Sequence, residues 1–135
     1  MSDPGVSIVL VDDDSAMRDL ERVLFEGDGR FEVVGEAEDG AAAVRLVRAL
    51  QPTAVVLDTM MPGMDGWDAM ALIRRVAPST AVVIAYTPGT TSQLDDQSIW
   101  LGADGCVAKP DLASAPDEVK AACRRSGRRR FVPHT

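Results

Sequence analysis

Four short apolar runs in this chain each end in a polar residue suited to ion or phosphoryl chemistry, and this repetition constrains the fold more than any other feature. Val6–Val11 is closed by Asp12 and Asp13, Thr53–Leu57 by Asp58, Ala81–Tyr86 by Thr87, and Cys106–Ala108 by Lys109 and Pro110. Short apolar runs of this kind read as strands buried on both faces, as in a parallel sheet. Groups at the carboxyl ends of such strands meet in one crevice. Carboxylates, a hydroxyl and an ammonium gathered there suit a divalent cation and a phosphoryl group.

Helical spacing fills the intervals between the runs. Asp14 or Ser15 caps a first helix whose expected buried stripe is Met17, Leu20 and Leu24, ending at Gly27 and Gly29. Phe31–Ala37 mixes apolar and polar residues and reads as a weaker strand near an edge. Ala43, Leu46, Val47 and Leu50 predict a second helix before Pro52, and Ala69, Leu72, Ile73 and Val76 a third before Pro78. Thr91–Leu101 has the least regular pattern and is read as a fourth helix; Pro116–Arg125 is the fifth, built on Val119, Ala122 and Cys123. The order predicts an α/β fold, a doubly wound five-stranded parallel sheet with helices on both faces and right-handed crossovers. Residues 1–126 are expected to form this domain, and 127–135 a basic tail without fixed structure.

Composition narrows the function classes. At 135 residues, 46% of them hydrophobic and 26% charged, the chain suits one globular domain. Its longest apolar run is far too short to span a bilayer, and the N-terminal residues do not resemble a secretion signal, so a cytoplasmic protein is expected. Cys106 and Cys123 lack metal-ligand spacing and read as free thiols. His134, the only histidine, stands next to the end of the sequence, which argues against catalysis by a histidine base. The net charge is −7, yet Arg124, Arg125, Arg128, Arg129 and Arg130 crowd the last segment. They read as a solvated helix end that complements the helix dipole, and no direct nucleic-acid binding is expected.

Taken in order, these residues resemble the receiver domain of two-component response regulators, a flavodoxin-like phospho-acceptor family. The resemblance runs from about Val6 to Arg125. It rests on Asp12-Asp13 after the first strand and on Asp58 with Met61-Pro62-Gly63-Met64-Asp65-Gly66 after the third. Thr87 after the fourth, and Gly102-Ala103-Asp104-Gly105 leading to Lys109-Pro110, complete it. It implies that Asp58 accepts a phosphoryl group from a partner kinase's histidine, that Lys109 pairs with a phosphoryl oxygen, and that Thr87 donates its hydroxyl to another. It further implies Mg²⁺, with Mn²⁺ as an alternative, held by Asp13, Asp58, the backbone carbonyl of Met60 and, through water, Asp12. In the family, Lys-Pro takes a cis peptide bond. The implied partners are a sensor histidine kinase or phosphotransfer protein and a downstream effector or fused output domain. Signalling would run through the fourth helix, fifth strand and fifth helix. The resemblance also allows a phosphorylation-dependent dimer. A stand-alone receiver and a receiver belonging to a larger regulator both fit the sequence.

Three positions depart from the family pattern. Thr59 follows the acceptor where an apolar or aromatic residue is common. Cys106 stands where the family usually carries Tyr or Phe. Pro88 replaces a small residue whose N–H normally contacts the phosphoryl group, and proline has no N–H. Two other readings stay open: a pseudo-receiver that binds partners without phosphorylation, and a haloacid-dehalogenase-type phosphohydrolase suggested by the Asp-x-Asp pattern within Asp12-Asp13-Asp14. Stoichiometric labelling of Asp58 excludes the first, and absence of turnover excludes the second.

Overall fold

The computed structural model describes residues 5–59, 63–64, 66–88 and 102–130. Five parallel strands form one sheet: β1 (Val6–Val11), β2 (Phe31–Ala37), β3 (Ala54–Asp58), β4 (Ala81–Tyr86) and β5 (Gly105–Ala108), in the order β2-β1-β3-β4-β5. β1 and β3 lie side by side at the point where the winding direction reverses, so a crevice opens at their carboxyl ends. β2, the edge strand anticipated from its mixed pattern, carries an irregularity opposite Ile8 and Val9.

Alternation along the strands divides the interior into two layers. Ile8, Leu10, Val56, Val83 and Val107 pack on one face with Phe25 of α1 (Ser15–Asp28) and Val119 and Ala122 of α4 (Ala115–Arg130). Val9, Val11, Val55, Leu57 and Ile84 pack on the other, against Val47 of α2 (Gly40–Leu50) and Ala69 and Ile73 of α3 (Gly66–Val76). Buried side chains on both faces explain why β1, β3 and β4 read as unbroken apolar runs. Asp12, Asp58, Thr87 and Lys109 each stand two residues beyond a member of the first layer, namely Leu10, Val56, Ala85 and Val107.

Asp14 caps α1 by accepting from the N–H groups of Ala16 and Met17, and Gly29 closes it with φ of 86°. The rotation of α1 differs from the expected stripe. Leu20 is 49% exposed, while Glu21 and Phe25 are fully buried. Phe25 meets Phe31 of β2 edge to face with ring centroids 5.0 Å apart, which fixes how the helix sits. At 100° per residue, Leu20 lies about 140° around the helix from Phe25, and Glu21 only about 40°.

α4 continues through Arg130, beyond Arg125 where the last helix was expected to end. Among the described residues there is no cis peptide bond, so Lys109–Pro110 is trans. Pro110 instead opens a 3-10 helix, Lys109–Ser114, where its fixed φ fits the first turn. The helix expected at 91–101 lies outside the described residues, as do Met60, Met61, Pro62, Asp65 and His134.

Candidate phospho-acceptor and metal site

Asp12 is fully buried just past β1, Asp58 ends β3 and is 2% exposed, and Asp13 is exposed beside them. One carboxylate oxygen from each can be chosen so that all three atoms lie within 4.8 Å of one another. Lys109, at the end of β5, reaches into this group. Its Nζ stands 3.1 Å from Asp12 Oδ2 and 3.1 Å from Asp58 Oδ1. Thus Asp12, Asp13, Asp58 and Lys109 meet as their positions at strand ends predicted.

Several local contacts hold this geometry. Asp12 Oδ1 accepts the Asp14 N–H at 2.9 Å, and the Arg18 guanidinium donates to the Asp12 carbonyl. Arg18 is itself tied to Glu36 of β2 at 3.2 Å. Behind Asp58, the Thr59 N–H donates to the Ala85 carbonyl, and the Gly66 N–H to the Thr59 carbonyl. A Cβ at Gly66 would stand 2.7 Å from Thr59 Cα and 2.8 Å from the Asp58 carbonyl oxygen. Only glycine lets α3 begin so close to the acceptor strand. Thr59 is buried, and among the described residues its hydroxyl has no hydrogen-bond partner, the local consequence of its departure from an apolar residue.

Electrostatics favour a cation here. Burial pushes the Lys109 ammonium toward deprotonation, but its pairing with Asp12 and Asp58 outweighs this and leaves its pKa above the ordinary lysine value. Lysine therefore stays charged between Asp12 and Asp58, with Asp13 exposed beside them. Three oxygen donors around an excess of negative charge match a hard divalent cation, which takes oxygen ligands and keeps several waters. Asp12, Asp13 and Asp58 thus fit Mg²⁺ or Mn²⁺ by their chemistry and proximity. The further ligand implied at Met60 lies outside the described residues.

Thr87 follows directly on β4, half-buried, two residues beyond Ala85, which is paired in register with Asp58. Pro88 is exposed at the start of the next turn. Cys106 pairs with Ile84 in register and packs, with Tyr86, against the second layer.

One buried group escaped sequence reasoning. Glu21 lies within the first layer's helix face, and among the described residues neither of its carboxylate oxygens has a hydrogen-bond partner. Burial, and after it the charge of Asp12, pushes its pKa up to about 8. An acid in a helix ordinarily marks the wet face. The available signal was its spacing of four residues from both Met17 and Phe25.

The response regulator receiver domain family matches residues 8–122. A protein-glutamate methylesterase/protein-glutamine glutaminase of Burkholderia thailandensis is 34% identical over 83% of this chain, which spans 32% of that protein. The chain covers about a third of the length of the curated relatives it matches. Among solved structures, the signal receiver domain of the response regulator NarL from Mycobacterium tuberculosis is 32% identical with a TM-score of 0.73, over 87% of this chain and 96% of that one. A LuxR-family two-component response regulator from Aurantimonas is 31% identical with a TM-score of 0.79, over 89% and 86% respectively. The sheet order, the acids and lysine at its carboxyl edge, and these likenesses agree: the chain belongs to the response regulator receiver domain family.

Proposed function

We propose that this receiver takes a phosphoryl group onto Asp58 from the phosphohistidine of a sensor kinase or phosphotransfer protein. The observation that carries the reading is Lys109, held 3.1 Å from both Asp12 and Asp58 at the rim of a three-carboxylate cluster. An Asp58 oxygen bonds to phosphorus as the phosphorus–nitrogen bond to the donor imidazole breaks. Lys109 moves from the Asp58 carboxylate to a phosphoryl oxygen, and Thr87 donates its hydroxyl to another. At 4 Å and an effective dielectric near 20, one such charge pair is worth roughly 4 kcal/mol before desolvation. Asp12, Asp13 and Asp58, with the Met60 carbonyl that the family resemblance adds, would hold Mg²⁺, and the bound cation would supply charge to offset the repulsion of the donor's phosphoryl oxygens. The chain catalyses only its own phosphorylation and dephosphorylation.

Output runs through β5 and α4, together with residues 91–101, to a downstream effector or a fused output domain. A histidine kinase as donor places the protein in the cytoplasm. Among the described residues no helix is long and apolar enough to cross a membrane.

The test is Mg²⁺-dependent labelling by a small acyl phosphate. The parent is expected to take up one hydroxylamine-sensitive phosphoryl group, and Asp58→Asn to take up none while keeping its fold. Equal incorporation by the Asn variant overturns Asp58 as acceptor. No incorporation by the parent favours partner binding without phosphorylation.

A further inference from the structure

Asp12 and Asp13 are consecutive, one fully buried and the other exposed, yet an oxygen of each lies within 4.8 Å of the other and of one on Asp58. The angle between the two side chains is set by the single peptide plane that joins them. The carbonyl of that peptide, on Asp12, accepts from Arg18 Nη1. The rest of Asp12 is also held. Its N–H donates to the Ala37 carbonyl at 3.1 Å, Oδ1 accepts the Asp14 N–H at 2.9 Å, and Oδ2 stands 3.1 Å from Lys109 Nζ. Of these contacts, only the one from Arg18 acts on the peptide that carries Asp13. Arg18 is aimed in turn from β2: its Nε donates to Glu36 Oε1 at 3.2 Å, and Glu36 Oε2 accepts from Arg22. A guanidinium presents its donors in a rigid fork, so fixing one arm on Glu36 directs the other at the carbonyl. The Arg18 side chain is only 17% exposed, which limits competition from water.

We propose that Arg18 is a positioning residue for the cation site: anchored on Glu36, it holds the Asp12–Asp13 peptide so that both carboxylates face one point. The inference rests on reading Asp12, Asp13 and Asp58 as the Mg²⁺ site of the phospho-acceptor. Charge alone would give Arg18 the opposite effect. A guanidinium beside the cluster repels a divalent cation, so its removal would tighten binding. Positioning acts the other way. Without Arg18 the peptide is free to turn, and ordering it again when the cation binds costs affinity. The sign of the change therefore separates the two roles. Lysine at this position keeps the charge but not the fork, and so cannot aim at the carbonyl from Glu36.

The experiment titrates the full chain with Mg²⁺ by calorimetry and compares the parent with Arg18→Met and Arg18→Lys, with urea denaturation to set the folded fraction of each. Both variants should bind Mg²⁺ severalfold more weakly than the parent. With a small acyl phosphate, both should be labelled severalfold more slowly at limiting Mg²⁺ and approach the parent's rate at saturating Mg²⁺. A purely structural Arg18 would lower the urea midpoint and leave the affinity of the folded protein unchanged. Equal or tighter Mg²⁺ binding by either variant overturns the role of Arg18. Arg18→Lys decides the matter if Arg18→Met does not fold. Weaker binding by the variants, in a protein whose parent takes up no phosphoryl group, upholds Arg18 and overturns the phospho-acceptor reading instead. A parent that binds no Mg²⁺ overturns both.

Discussion

The two ends of the sheet handle buried charge in opposite ways. At the amino ends of β4 and β5, Asp104 accepts the Val82 N–H at 2.9 Å and pairs with Arg74 at 3.1 Å, while the Arg74 guanidinium also donates to the Gly102 carbonyl. Nearby hydroxyls are matched too: Thr80 donates to the Pro52 carbonyl at 2.7 Å and Ser126 to the Ser79 carbonyl at 3.0 Å. At the carboxyl ends, Asp12 and Asp58 share the Lys109 ammonium, with Asp13 beside them. The first arrangement balances its charges within the chain. The second gathers three carboxylate oxygens around a shared point, an arrangement that fits a divalent cation.

The largest effect that sharpens this contrast is expected at Asp104. Removing one partner of a buried pair leaves the other uncompensated, so Asp104→Ala should lose roughly 3–5 kcal/mol of unfolding free energy. The folded fraction should still be labelled at Asp58. Urea denaturation checks the loss, and a change under about 1 kcal/mol breaks the comparison.

Glu21 comes next. Its pKa is near 8 when folded, against an ordinary value of 4.5. The folded state therefore holds a proton that the unfolded state gives up between those values, so this group destabilises the fold increasingly as pH rises from 4.5 to about 8. Every tenfold difference in acidity between the folded and unfolded states is worth ~1.4 kcal/mol. Allowing for relaxation around the side chain, Glu21→Leu should gain roughly 2–3 kcal/mol at pH 8 and less at pH 5. Urea midpoints at the two pH values measure the difference, and a gain independent of pH contradicts it.

Pro88 tests how well the carboxyl end is furnished with donors. If Pro88→Ala restores an amide to the phosphoryl site, labelling by a small acyl phosphate should speed about tenfold, equivalent to ~1.4 kcal/mol of barrier. An unchanged rate shows that the missing N–H does not limit the reaction.

The smallest contrast separates neighbours. Asp13→Ala should weaken Mg²⁺ binding by about tenfold, or ~1.4 kcal/mol, as read by tryptophan fluorescence, with Trp67 at the start of α3. Asp14→Ala should leave binding nearly unchanged and cost about 1 kcal/mol of stability, because Asp14 caps α1. Equal affinities in the two variants refute the division of roles.

The sheet and its acid cluster were legible because both follow from period and order. Runs buried on both faces give strands, and whatever follows each run comes to the same edge, which is how Asp12, Asp58 and Lys109 could be brought together from residues far apart in sequence. The rotation of α1 was not legible, since it depends on Phe25 meeting Phe31, a contact between two elements. That single contact exposes Leu20 and buries Glu21. The Arg74–Asp104 pair was equally hidden, because each residue reads locally as a surface charge.

The division of the interior by strand alternation has a consequence for recombination. The layer under α1 and α4 leads directly into Asp12, Asp58, Thr87 and Lys109, whereas the layer under α2 and α3 leads, through Val11, into Asp13. Chimaeras that import the α2/α3 layer from another receiver should therefore keep the surroundings of Asp58 and Lys109 and alter those of Asp13. Chimaeras that import the α1/α4 layer exchange Glu21 together with the apolar row that leads to Lys109. Inheritance in this fold thus travels by sheet face rather than by stretches of sequence.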